Sequence, residues 1–467
     1  MITTVDRPGW LGSTARRLVV PGAVLCLGMV AAFAALLYAM PADFTSDFGG
    51  NPEGAAHFRG ILLGQEIGFR VGRVTFSIGM GCLMAGAWAA YLLTMAAGVL
   101  GGVPTARWLR PLVGAAVVGV AVGCPPALSH DVYAYVGHAR LPWLHRLNPY
   151  TVPLTELRDL GDETARFVGT CDMPSVYGPI WTWLSIALVA SLTGAGLWLQ
   201  IVAMKLLAAL ALVAAASMAR LLADRDRDGR GDLTYLAFTL NPLLLIEGPA
   251  GGHNDLVMMA LMLGAVVLYS RNRTALGDLV LGIAIGVKFL PAAVLPWLCL
   301  ERVRAVRPGV ALVRAMATPI VALAPLTLAY APFWSGEKTF QALDRRAGWG
   351  ASGEVWDVLP VAKLTSTGVP EWASRFTVHL LLRLPILEVY IGLTAWIAWS
   401  GRPGRWLDAW VIFSLILALW GTAVRFPWYM AWPLTIALTR RGRLGCTLAV
   451  VSLVCSICLM LGYCRIG

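Results

Sequence analysis

Charge is scarce in this sequence. Only 13% of its 467 residues are Asp, Glu, Lys or Arg, against 58% hydrophobic, and the mean hydropathy is +0.70. So little charge cannot cover the surface of a water-soluble globule, which excludes that class. The two-residue alternation of barrel strands is missing, which excludes a membrane β-barrel. Cysteines number nine, an odd count, and Cys26, Cys82, Cys124, Cys299, Cys446, Cys455 and Cys458 lie within or beside apolar runs. Neither a disulfide framework nor a zinc site is expected, and the CxxC spacing of Cys455 and Cys458 reads as packing. No P-loop, zinc-protease helix or nucleophile elbow occurs. Internal repeats, low-complexity linkers and soluble domains are not visible either.

What the chain does have is a succession of apolar runs long enough to cross about 30 Å of hydrocarbon as helix. A bilayer core leaves open strand edges unsatisfied, so these runs are helices. The sequence therefore predicts an all-α polytopic membrane protein with about 11–13 membrane segments, forming one integral membrane domain over residues 1–467. The net charge of +11 comes from arginines at the ends of apolar runs, a mark of topology and not of a nucleic-acid surface. Arg7, Arg16 and Arg17 precede the run Leu18 to Met40, which is longer than a signal-peptide core and reads as a retained first span with its N-terminus inside. External loops are expected at about 41–73, 129–177 and 335–375, the first with Asp43, Asp47, Glu53 and Glu66, the last with Glu337, Lys338, Asp344, Arg345, Arg346, Glu354, Trp356, Asp357 and Lys363.

Counting every later run as a full crossing would place the charged segment 225–230 and Arg271 and Arg273 outside, against the positive-inside rule. The conflict disappears if Ile180 to Thr193 and Leu279 to Leu300 do not cross fully. The second of these carries Lys288 and Pro291 at its middle, which suits two half-helices meeting at a polar cavity. This choice puts Gly251 to Asp255, Lys288 and Arg425 on the external side together with Asp131. A working site facing outside is thus expected in the cell (plasma) membrane.

Three of the six histidines, His130, His138 and His145, fall in the polar stretch from Ser129 to Pro179. An external site has no nucleotide pool to draw on, so a sugar transferred there would arrive as a phosphosugar on a lipid carrier. Such a transfer needs a carboxylate to take the acceptor's proton, cations for the leaving phosphate, and aromatic or amide groups to hold the rings. Asp131 is the candidate base, and Lys288 and Arg425 the candidate phosphate-binding cations, each a charge in an apolar setting. Plainer readings stand beside these. Asp131 caps the following helix or pairs with His130 or Arg140; His253 and Asp255 cap the helix starting at Leu256; Lys288 snorkels; Arg425 anchors an interface with its aromatic neighbours. Asp224-Arg225-Asp226 spells DxD but sits among alternating charges and reads as solvated loop.

Taken in order, Asp131-Val132-Tyr133-Ala134-Tyr135, Asn148-Pro149-Tyr150, Tyr177-Gly178-Pro179, Asn241-Pro242-Leu243 with Glu247, Gly252-His253-Asn254-Asp255, Lys288-Phe289-Leu290-Pro291 and Pro427-Trp428-Tyr429 form a series. This series resembles the GT-C glycosyltransferases that use polyprenyl-phosphate sugars, and most of all the polyprenol-phosphate-mannose-dependent α-1,6-mannosyltransferases that build lipomannan in mycobacterial-type envelopes. The resemblance implies a GT-C fold with Asp131 as base in a large external loop, and an inverting transfer of a hexose, mannose in that family, to a lipid-anchored glycan. It also implies that His130, Tyr133, Tyr135, Asn148, Tyr150, Tyr177, Glu247, His253, Asn254, Asp255, Trp428 and Tyr429 bind substrate, with Lys288 and Arg425 on the donor phosphate. No metal or other cofactor is expected. The partners are the polyprenyl-phosphate donor, the glycan acceptor and membrane lipids. Two departures stand out: Val136-Gly137-His138 where many relatives carry a basic and an acidic residue, and Tyr177-Gly178-Pro179 where many have Tyr-Pro-Pro. The rival readings are a transferase of another lipid-linked sugar (arabinofuranose, glucose or galactose), a lipid or sugar transporter, and a non-catalytic assembly subunit.

Overall fold

Backbone amides and carbonyls in an apolar chain find no partner in hydrocarbon, and helices satisfy them within each segment. The computed structural model describes residues 9–44, 50–64, 71–103, 108–168, 173–224, 230–304, 308–343, 384–421 and 425–464. In chain order its helices begin with α1 (Gly9–Leu37), α2 (Pro52–Leu63), α3 (Arg73–Gly101), α4 (Leu109–Gly123), α5 (Asp131–Leu144) and α6 (Glu156–Asp159). They continue with α7 (Pro179–Ser191), α8 (Gly196–Ala223), α9 (Gly231–Thr239), α10 (Pro242–Leu245), α11 (Asp255–Ser270) and α12 (Thr274–Val287). The last are α13 (Leu295–Arg304), α14 (Pro308–Tyr330), α15 (Leu384–Ser400), α16 (Arg405–Ile416), α17 (Ala431–Ala437) and α18 (Gly442–Met460). No strand of a sheet occurs among the described residues, and the protein is an all-α polytopic membrane protein.

Among the described residues, five helical stretches are long and apolar enough to cross a membrane unaided: Gly12–Leu37, Arg73–Gly101, Gly196–Ala223, Leu312–Phe333 and Gly442–Cys464. Leu109–Gly123, Pro179–Ser191, Thr274–Val287 and Leu384–Ser400 are apolar but shorter. The runs 233–248 and 256–269, which the sequence presents as two crossings, do not form two straight spans. Instead Pro242–Ala250 and Asp255–Ser270 make one pair bent by 113°, a broken span or a re-entrant loop. The helix in 279–300 breaks where its charge and proline sit: α12 ends at Val287, Lys288 is extended, and a 3-10 turn over Leu290–Val294 leads into α13. Of the expected external loops, residues 45–49, 65–70 and 344–383, with Asp47, Glu66 and the charged residues from Asp344 to Lys363, lie outside the described residues, as do 225–229.

The chain divides into two compact units. The first comprises Met1–Ala134, Leu192–Asn272 and Leu453–Gly467. In it α1 runs along α3, and α8 packs against α4, α9, α11 and the turn at 246–250. A Cβ at Gly101 would collide with the backbone of α1, so glycine sets how closely those two helices approach. The second unit comprises Tyr135–Ser191 and Arg273–Ser452. There α14 packs on α12 and α13, and α16 on α15 and α17. Small residues set its spacing too, because a Cβ at Gly282 would run into the Ala322 backbone and one at Gly178 into that of Gly286. Its polar ties are ionic at the helix ends: Arg302 holds Asp278 through two nitrogens at 2.5 and 2.6 Å, and Asp408 accepts from Arg440 at 2.7 Å.

Candidate active site

Asp131 opens α5, so the polar stretch read as a loop is helical from its first acid onward. Its backbone amide donates to the Ser129 hydroxyl at 3.1 Å, and its carboxylate sits at the positive end of the helix, where an anion is favoured. The side chain keeps 30% of its exposure, while Val132, Tyr133, Tyr135 and Val136 behind it are buried.

The residues facing Asp131 in the first unit come from the bend between α10 and α11. Asn241 caps α10, its side-chain oxygen accepting from the Leu244 amide at 3.2 Å with Pro242 in the first turn. Pro249, which has no amide to donate, lies in a π-turn over Ile246–Ala250 that widens the backbone and swings Glu247 inward. Gly251 and Gly252 complete the bend. A Cβ on Gly251 would stand 2.8 Å from the His253 ring, and Gly252 has a φ of +79° with Val132 Cγ2 only 2.9 Å from where its Cβ would be. Glycines therefore let the backbone come close enough to bring His253 against Asp131.

The His253 ring lies between two carboxylates. Its Nε2 is 3.9 Å from Asp131 Oδ2, and its Nδ1 is 2.8 Å from the Glu247 carbonyl oxygen and 3.4 Å from Glu247 Oε2. A carbonyl oxygen only accepts, so Nδ1 carries the proton and Nε2 is left to face Asp131. Asp255 and Asp131 each stand near enough to Glu247 to repel its charge, and the phenol of Tyr463 lies beside it. His253, Asn254 and Asp255 are all but completely buried, and Asn254, not His253 or Asp255, stands at the cap position of α11, with no side-chain cap bond. Such a ring can fix the tautomer and orientation of a histidine that meets a half-exposed carboxylate. His130, just ahead of Asp131, is partly exposed, and Tyr133 is buried with its hydroxyl toward Gly54 of α2.

The other expected site residues belong to the second unit. Lys288 Nζ lies 5.1 Å from the ring centroid of Tyr429 and 5.4 Å from that of Trp432, and those rings stack at 4.3 Å, an aromatic cradle for a cation. Trp428 stacks on Phe426 at 4.2 Å, and Arg425 is exposed just ahead of them. Tyr135, Tyr177 and Tyr150 are buried. The first two meet edge to face at 4.8 Å, and Tyr135 meets Trp181 at 5.0 Å. Tyr150 Oη is 2.7 Å from Thr182 Oγ1 and donates to the Tyr177 carbonyl at 3.2 Å, and burial pushes its phenol well above the usual range. Asn148 accepts from the Tyr150 amide at 3.0 Å and donates to the Phe333 carbonyl at 2.8 Å and Ser335 Oγ at 3.0 Å, which ties the polar stretch to the end of α14. His138 is buried, and burial lowers its pKa to about 3, so it is neutral in this fold.

Arg140 does not pair with Asp131 but binds Asp162 at 3.1 Å and Glu163 at 2.6 Å. Asp224, the first acid of the DxD spelling, pairs with Arg220 at 3.3 Å and accepts from the Gly231 amide, an ordinary loop tie. Among the described residues no three His, Cys, Asp or Glu side chains converge as a metal site. Two first-unit residues were not singled out by sequence. Tyr463 carried no signal, being one aromatic at the end of a hydrophobic run. Lys205 did carry one, as the lone charge in the middle of α8.

A family model described as alpha-(1->6)-mannopyranosyltransferase, N-terminal domain, matches residues 25–304. The chain is similar to alpha-(1->6)-mannopyranosyltransferase A of Mycobacterium tuberculosis, with 26% identity over 358 residues, 71% of this chain and 64% of that relative. A second alpha-(1->6)-mannopyranosyltransferase of the same organism is 28% identical over 161 residues, 34% of this chain and 25% of the relative. The chain thus spans somewhat under two thirds of the first relative and a quarter of the second. No solved structure matches. With a match that takes in Asp131, Glu247, His253 and Lys288, the chain belongs to the alpha-(1->6)-mannopyranosyltransferase N-terminal domain family.

Proposed function

We propose that this protein transfers mannose from a polyprenyl-phosphate sugar to a lipid-anchored glycan, forming an α-1,6 linkage at the external face of the plasma membrane. The observation that carries the reading is the approach of His253 Nε2 to Asp131 Oδ2, with the other ring nitrogen pinned on Glu247. Asp131 is the base. It takes the proton of the acceptor's primary hydroxyl as that oxygen attacks the anomeric carbon; the bond from that carbon to the phosphate oxygen breaks on the opposite face, and the polyprenyl phosphate leaves with the electron pair. The anomeric centre inverts. His253, with its proton on Nδ1, presents the Nε2 lone pair, which accepts a hydrogen bond from the Asp131 carboxyl once that has taken the acceptor's proton. Lys288 and Arg425 are the proposed donor-phosphate cations, the first held over the rings of Tyr429 and Trp432. Membership of a mannosyltransferase family supports the choice of sugar, and the apolar setting supports a lipid-borne donor.

The test is transfer of radiolabelled mannose from polyprenyl-phosphate mannose to a short mannoside by the purified full-length protein and by Asp131→Asn, which keeps the shape and removes the base. Turnover is expected to fall by at least about a hundredfold. Equal turnover in both proteins would remove Asp131 from the mechanism. Transfer from a lipid-linked pentose or glucose, and not from mannose, would replace the donor.

A further inference from the structure

Lys205 is fully buried in the middle of α8, a helix otherwise apolar for most of its length. An ionisable side chain at such depth is costly and is retained where it holds something in place. Its ammonium donates to the backbone carbonyl of Cys124 and stands 5.1 Å from the ring centroid of Phe58 on α2. Its stem passes Gly252, with Cγ 3.1 Å from where a Cβ on that glycine would be. Cys124 is the residue at which the chain leaves α4, with ψ of 127°, on its way to Asp131. Along that way the Ala127 carbonyl accepts from the Asn51 amide at 2.7 Å, just ahead of α2. Gly252 precedes His253 and touches Val132, the neighbour of Asp131.

One side chain thus grips both strands of the Asp131–His253 pair. Its head fixes the segment that delivers the carboxylate, and its stem backs the glycine turn that delivers the imidazole. A methionine would fill the same space, yet it has no proton for the Cys124 carbonyl and no charge for the Phe58 ring face. We infer that Lys205 is a positioning residue for the transfer reaction, holding the Asp131 and His253 segments at their working separation without touching substrate. The inference rests on the proposed role of Asp131.

Lys205→Met and Lys205→Arg in the full-length protein, purified in lipid nanodiscs, test it by two readouts. In mannose transfer from polyprenyl-phosphate mannose to a short mannoside, kcat of Lys205→Met is expected to drop about tenfold or more with both KM values within about twofold, and Lys205→Arg to recover part of it. In amide hydrogen exchange, the segments 125–135 and 250–255 of Lys205→Met are expected to exchange faster while α1 and α3 stay as in wild type. Wild-type kcat in Lys205→Met, a rise in KM alone, or faster exchange spread evenly over the chain overturns the inference. If the wild type transfers no mannose, the functional reading fails, and the exchange pattern still decides whether Lys205 holds these two segments. Should Lys205→Met not fold, Lys205→Gln takes its place with the same expected pattern.

Discussion

Asp162 shows how much one carboxylate organises in the second unit. It accepts from Arg140 at 3.1 Å, from His145 at 3.0 Å, and from the Thr164 amide and hydroxyl at 2.9 and 2.6 Å, with its side chain almost wholly buried. Burial by itself would raise its pKa; the hydrogen bonds from Thr164 and His145, with the Arg140 guanidinium beside it, outweigh that and hold the carboxyl below its usual 3.8. A depressed folded pKa adds stability above the unfolded value, and that stability is lost as pH falls through the folded one. Asp162→Asn is therefore expected to cost about 2 kcal/mol near neutral pH, the worth of hydrogen bonds to a charged partner, with Glu163 still left to Arg140. Thermal unfolding of the detergent-solubilised proteins checks it: the gap between wild type and variant should narrow as pH is taken from 7 to below 3.8. A gap that is absent at pH 7, or unchanged in acid, would show that the cluster adds no charge-dependent stability.

Helix spacing argues the same way at the scale of elements. The α12–α14 crossing is set by Gly282, where an added methyl would strike the Ala322 backbone, which cannot rotate aside. Gly119 in α4 has nothing within 4 Å of its would-be Cβ. Gly282→Ala is expected to lose about 1–3 kcal/mol and folded yield, and Gly119→Ala to hold or gain stability through helix propensity. Measured side by side, equal melting points would mean that α12 and α14 are not locked by that contact. Elements were also where the sequence was read unevenly. The break at Lys288 was legible, because a charge and a proline at the middle of an apolar run both disfavour a straight span. The 113° bend before α11 was not. Two apolar runs separated by Gly251 to Asp255 look like two crossings joined by a turn, and only the π-turn at Pro249 reveals that the pair is a single bent unit. Nor did the sequence disclose that Asn148 and Tyr150, which the resemblance offers as substrate ligands, also make hydrogen bonds inside the fold.

At the scale of the molecule, class was legible because composition decides it: so little charge over so many apolar residues has one stable solution, helices in lipid. The order of motifs likewise led to the family, and to Asp131, His253 and Glu247, which the first unit brings together from positions more than a hundred residues apart. Lys205 was overlooked although a lone charge inside a hydrophobic run is a signal, because no proline breaks that run and no motif of the series includes it. The proposed sidedness rests on the arginine clusters at 225–230, 271–273 and 302–307, which it keeps inside. The second unit offers a direct check with two exposed positions on opposite predicted sides, Glu163 in the polar stretch after α5 and Arg402 between α15 and α16. In intact cells expressing a variant whose native cysteines are replaced, Glu163→Cys is expected to react with a membrane-impermeant maleimide, and Arg402→Cys only after the membrane is permeabilised. Labelling of Arg402→Cys in intact cells with Glu163→Cys protected would turn the molecule over. The donor would then have to be sought on the cytoplasmic side, where nucleotide sugars compete with lipid-borne ones, and topology would no longer favour a polyprenyl-phosphate donor.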